Sequence, residues 1–225
     1  MRYNMFNQIH KALRVLLYDT GVLISQTDFD NPLQADMVAE RLNQLLDLFI
    51  NHADNEDRMV LPLLQEYEPG VVSAFEQEHV TDHALVQRLK GFLMALAYAI
   101  SSQAKTELGA SLTTAYIEFM IFNLQHMQKE ETVLNKLLWQ YYSDEELGGV
   151  NQKIVSSIPV DEVAVASQWM MKALSNHEIT SWLRTVERNA PEHVFRSLLA
   201  TAEKELDQNR YRVIVEGLTE GIMTA

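Results

Sequence analysis

Long stretches of the chain place an apolar residue every third or fourth position, and short polar breaks separate them. Ile9, Leu13, Leu16 and Leu17 lead on to Ile24. Val38, Leu42, Leu45, Leu46 and Phe49 form a second stripe, Leu85, Leu89, Phe92, Leu93 and Leu96 a third, and Leu112, Ala115, Phe119 and Phe122 a fourth. That spacing gathers apolar side chains on one helix face. No stretch sustains period-two alternation between turn signals, so no strand is expected and the fold class is all-α. Asn31-Pro32 reads as an N-cap followed by proline in the first turn. Pro62 should end or kink the second helix near Leu61, and Glu68-Pro69-Gly70 marks the turn into the third. The predicted helices run at about 3–27, 32–66, 70–102 and 107–141, lengths that suit an up-down-up-down four-helix bundle.

The residues from about 143 onward read as a helical extension, giving a division into a bundle over 1–142 and an extension over 143–225. Ser143 to Glu146 and Ser175 to Glu178 both fit the S-x-x-E capping box, and Gly148-Gly149 is expected to loosen the chain between them. Pro159 should open a helix reaching about Leu174, Ala190-Pro191 another over about 191–206, and Tyr211 to Leu218 a last short one.

Composition narrows the chemistry. Apolar residues make up 47% of the 225, ample for a core, and the formal charge is −13. That acidity argues against nucleic acid and anionic membrane as partners, which need basic patches. The N-terminal residues carry no apolar core before a small-residue cleavage site, and the run Phe92 to Ile100 is roughly half a bilayer span, so a cytoplasmic protein is expected. With no cysteine in the sequence, thiolate metal sites, Fe–S clusters and cysteine nucleophiles are excluded. Any metal must be held by His, Asp and Glu.

Five of the seven histidines fall into a pattern. The first predicted helix carries His10. The second carries His52 and Glu56, the third His79 and His83, and the fourth His126 and Glu130, each pair four residues apart. Four-residue spacing points both side chains from one helix face, one turn apart. In an up-down bundle these positions fall within one slab, roughly 10–22 Å from a single end at ~1.5 Å rise per residue. Leu13 and Leu17 share a face with His10, Phe49 with His52, Phe75 with His79 and Phe122 with His126, so the polar positions continue apolar stripes and face inward. A single histidine on a helix is ordinarily a surface or satisfied core residue; the joint pattern points to a buried metal centre. Five imidazoles and two carboxylates exceed one tetrahedral zinc and fit two six-coordinate ions with bridging carboxylates. Imidazole with carboxylate suits iron among redox metals, although manganese or zinc could take the same donors.

Other candidates are set aside. Glu131 is rotated away from the face of His126 and reads as solvated. Asp54, Asp57 and Asp82 could bond ring nitrogens, yet surface charge is the simpler reading for each. Glu178 is explained by its capping box, which leaves His177 without a partner, and His193 has none at ligand spacing. The ten methionines read as core filler.

The set His10, His52-x-x-x-Glu56, His79-x-x-x-His83 and His126-x-x-x-Glu130, spread over about residues 3–141, resembles the bacterial hemerythrin-like HHE cation-binding domains. The resemblance implies two non-haem irons with an oxo or hydroxo bridge. It implies that His79, His83 and His126 bind one iron, that His10 and His52 bind the other and leave it open, and that Glu56 and Glu130 bridge. The oxygen-carrying hemerythrins place an Asp five residues after the last histidine; here Glu130 stands at four, as in the di-iron proteins linked to iron–sulfur repair, which typically carry an N-terminal cysteine segment that this chain lacks. The function expected is binding of O2, NO or peroxide by a sensor, scavenger or iron-handling protein, with Phe49, Phe75 and Phe122 as pocket walls. A di-iron oxidase or reductase is the enzymatic alternative, and an interaction module with a static metal the structural one. The C-terminal helices are the candidate surface for a protein partner.

Overall fold

The computed structural model describes residues 2–220, and among these every regular element is helical. Helix α1 spans Asn7–Ser25, α2 Pro32–Asn55, α3 Pro69–Tyr98, α4 Ser102–Lys129, α5 Asn135–Tyr141 and α6 Asp144–Ser157. They are followed by α7 (Val160–Ala173), α8 (Asn176–Asn189), α9 (Glu192–Glu205) and α10 (Gln208–Glu220). None is long and apolar enough to cross a membrane.

The chain divides into two compact units. The first holds Leu16–Ser157 with the N-terminal residues up to Asn7; the second holds the stretch Gln8–Val15 of α1 with the residues from Ile158 onward. Helix α6 therefore groups with the bundle, where Leu147 is buried against Leu134 and Leu138.

Within the first unit, α2 and α3 run antiparallel, because Asp47 pairs with Lys90 while the later Asp57 meets the earlier His79. Helices α3 and α4 do the same, with Arg88 paired to Glu118 and Asp82 to Asn123. Asp19 pairs with Arg41 and ties α1 to α2, while the Tyr116 hydroxyl donates to the Leu17 carbonyl at 2.6 Å and ties α1 to α4. One apolar layer contains Leu16, Leu46, Val86, Leu89, Leu112 and Phe119; a second contains Val60, Leu64, Val72, Phe75, Leu134 and Leu138. Each buried leucine contributes roughly 1.5–3 kcal/mol. Along the chain, His52 falls between Leu46 and Val60, His79 between Phe75 and Val86, and His126 between Phe119 and Leu134, so the histidine level lies between the two layers.

The two long helices that carry paired ligands are not uniform. Asn55 ends α2, after which Glu56–Val60 forms a π-helical turn and Leu61–Leu64 a 3-10 turn. Helix α4 passes at Glu130–Leu134 through a second π turn before α5. Pro62 lacks an N–H and accounts for the tightened turn that it occupies. No proline stands near the second π turn, so proline does not explain both.

Local chemistry sets the remaining ends. Asn31 caps α2 by accepting from Leu33 N and Gln34 N. Ser101 caps α4 by accepting from Ala104 N at 3.2 Å, which starts that helix earlier than the expected 107. Glycines 148 and 149 do not loosen the chain: both lie inside α6, whose first turn is fixed by Ser143 and Glu146.

The second unit has its own core of Met171, Leu174, Ile179, Leu183, Leu198, Ala202, Leu206 and Ile214. Ser175 and Glu178 form the expected capping box, and Lys11 reaches Glu178 at 2.6 Å. Arg210 donates to the Leu174 carbonyl and to Asn176 Oδ1, closing the turn between α7 and α8.

Candidate metal centre

At the level between the two apolar layers, the helix faces turn polar and stay buried. His79, His126, Glu56 and Glu130 are each no more than 5% exposed. One donor atom from each of these four lies within 4.8 Å of every other, and the same holds for His52, Glu56 and Glu130. His52 is half-buried on α2 with Nε2 3.2 Å from Glu56 Oε1. His10 is fully buried on α1.

The orientation of the rings follows from their outer nitrogens. His79 Nδ1 donates to Asp57 Oδ1 at 2.6 Å, and His126 Nδ1 donates to Glu78 Oε2 at 2.8 Å. A carboxylate only accepts, so each Nδ1 carries a proton, and once the second proton leaves a ring its Nε2 presents a lone pair. Those two Nε2 atoms face each other at 3.1 Å. His126 Nε2 also lies 3.0 Å from Glu130 Oε1, and His79 Nε2 lies 3.4 Å from Glu56 Oε2.

Such a cluster is an accumulation of electron-pair donors with little to neutralise it. Neither oxygen of Glu56 accepts a hydrogen bond among the described residues. Burial and the neighbouring Glu130 push the Glu56 carboxyl well above its usual range. Burial alone would lower the His126 pKa, but the bonds and charges of Glu130 and Glu78 outweigh it and carry it up to about 9. Without a cation the site must hold protons that its residue types normally release. Imidazole and carboxylate converging on one dry volume fit a divalent or trivalent metal, which satisfies every lone pair at once.

Not every expected residue joins the cluster. The His83 side chain is 47% exposed, with Nε2 3.9 Å from Asp54 Oδ1. Its neighbour Asp82 takes the inward position, buried and accepting from Asn123 Nδ2 at 2.7 Å. Burial raises the Asp82 pKa despite that bond. Glu130 is fully buried whereas Glu131 is half-buried. Phe75 and Phe122 flank the His126 ring at centroid distances of 5.7 and 6.0 Å, while Phe49 packs edge-on against Phe119.

Sequence reasoning missed Asp57 as a bonding partner by reading it as surface charge, and did not consider Glu78. The available signal was adjacency: each lies next to a candidate ligand in sequence, Asp57 beside Glu56 and Glu78 beside His79.

The profile of the hemerythrin HHE cation binding domain matches residues 1–138. Among curated proteins, a zinc finger protein described as BRUTUS-like from Arabidopsis thaliana is 26% identical over 176 residues, which cover 77% of this chain and 14% of that relative. The chain thus spans about a seventh of the relative's length. No solved structure matches.

Proposed function

The chain belongs to the hemerythrin HHE cation-binding family, and we propose that it is a non-haem di-iron protein that binds O2, NO or peroxide at an open metal position. It would serve as a sensor, a scavenger or an iron-handling protein in the cytoplasm. The observation that carries this reading is the pair of buried carboxylates, Glu56 and Glu130, shared by two groups of candidate donors. Shared carboxylates are what a two-ion site requires.

In this reading His79 and His126 would hold one ion and His52 the other, with Glu56 and Glu130 shared by both, and the family resemblance would add His10. A ferrous pair held there supplies open coordination for a small ligand and the electrons to reduce it. With His83 turned outward, His79 and His126 would be the imidazoles left to the first ion. Phe75 and Phe122 cover the His126 ring and limit access of water to that side. Asp57 and Glu78 keep the imidazole protons on the outer nitrogens, so that the inner ones remain free to bind.

Metal analysis of protein from iron-replete cells, followed by stopped-flow mixing of the reduced form with O2 and with NO, tests the proposal. A stoichiometry near two irons per chain and a reversible adduct are expected. Metal-free protein with undiminished thermal stability overturns the metal reading, and sustained turnover overturns the binding role in favour of an oxidase or reductase.

A further inference from the structure

Helix α3 carries two consecutive residues with opposite duties. His79 faces into the bundle and is held by Asp57 from the π turn after α2; Glu78, one residue earlier, turns toward α4 and holds His126. A step of one residue rotates a side chain by roughly 100° about the helix axis, which is why neighbours on α3 address different helices. The result is a relay of two carboxylate–imidazole bonds running from the π turn after α2 to α3 and on to α4. Glu78 is itself pinned from outside by Lys129 Nζ, which donates to its other oxygen at 2.6 Å.

Taken alone, Glu78 and Lys129 would be an ordinary surface pair of little consequence for stability. The third partner changes that assignment. Glu78 uses one oxygen for Lys129 and the other for the ring of a buried histidine, so a solvent-facing cation fixes the angle at which that histidine enters the site.

We propose that Asp57 and Glu78 are positioning residues of the metal centre, together fixing His79 and His126 so that both Nε2 lone pairs converge on one cation. Neither touches the ion. The inference rests on the metal reading above and goes beyond it by assigning the geometry of one ion of the pair to two residues outside the ligand set. It also separates the two donor groups: an ion on His79 and His126 would depend on this relay, whereas one held by the group containing His52 would not.

Cobalt(II) titration of the metal-free full-length chain, followed by its visible spectrum and by calorimetry, tests this. Asp57→Ala and Glu78→Ala should each weaken one binding step by about 10- to 100-fold, leave the other step intact and alter the cobalt spectrum. Glu78→Gln keeps an oxygen able to accept the His126 Nδ1 proton and should recover most of the affinity and the parent spectrum. Asp57 is partly exposed, so its variant keeps the test available should Glu78→Ala fail to fold. A parent that binds both ions while the alanine variants bind both with parental affinity and spectrum overturns this inference alone. Equal losses in Glu78→Gln and Glu78→Ala with an unchanged spectrum overturn it as well. A parent that binds no metal overturns the metal reading first and this inference with it.

Discussion

Glu56 and Glu130 occupy matching places in two different helices: each lies four residues after a histidine, and each is the first residue of a π-helical turn. A π turn widens the helix and is rarely retained without a functional reason. Here it recurs where a carboxylate must enter a site that a histidine one turn earlier already faces. One π turn lies near a proline and the other does not; what the two share is a buried carboxylate at the first position.

The two adjacent acids 130 and 131 should therefore respond differently. Glu130→Gln is expected to lose one or both ions, while Glu131→Gln keeps both. Metal content of the two purified variants decides it, and equal loading would remove Glu130 from the bridge.

His83 and His126 provide a second contrast. His126→Ala removes a buried donor whose partners are already in place and should cost at least one ion. His83→Ala alters an exposed side chain and should leave the metal content as it was. Loss of an ion in His83→Ala would show that the side chain turns inward when metal arrives.

Metal loading should depend on pH with a definite sign. In metal-free protein, His126 is raised from 6.5 to about 9, mainly against burial and through Glu130 and Glu78. A raised pKa stabilises the fold fully below 6.5 and loses that contribution as pH climbs through about 9. Metal-free protein should thus melt at progressively lower temperature across this window, whereas the loaded form, with Nε2 bound, stays level. Affinity should rise over the same range as the competing protons leave. Thermal melts and metal titrations between these pH values test both, and a metal-free form that gains stability would contradict the assignment.

Asn123 supports the site from one step away. It donates to the buried Asp82 and to the Phe119 carbonyl. Asn123→Ala leaves the Asp82 carboxylate buried without that donor and should cost about 1–3 kcal/mol by denaturant unfolding. A change within the error of the measurement would mean that water replaces the amide.

Much of this was visible in the residue order, and the limits have physical causes. The four long helices follow from apolar spacing because burial dominates their stability, and Asn31 and Ser175 mark helix starts because their side chains can reach only nearby amides. The choice between Asp82 and His83 was not visible. Both lie about one turn from His79, and the inward one, Asp82, is met by Asn123 on α4, a partner distant in sequence. The π turns were hidden for a similar reason, since local sequence favours the ordinary helix and the widening is imposed by what meets at the site. Gly148 and Gly149 misled because a helix tolerates glycine when its first turn is well capped, as Ser143 and Glu146 cap this one.

The crowding of buried acceptors on two widened turns has a consequence for the life of the protein. A metal-free chain must keep protons on a raised carboxyl and an imidazole while holding two helical turns that backbone bonding alone does not favour. Opening should begin there, at 56–64 and 130–141, and protease cleavage or rapid amide exchange in those segments would report it. A metal ion bound by these carboxylates would hold both turns closed, so metal-free chains should be cleaved there first and loaded chains should resist.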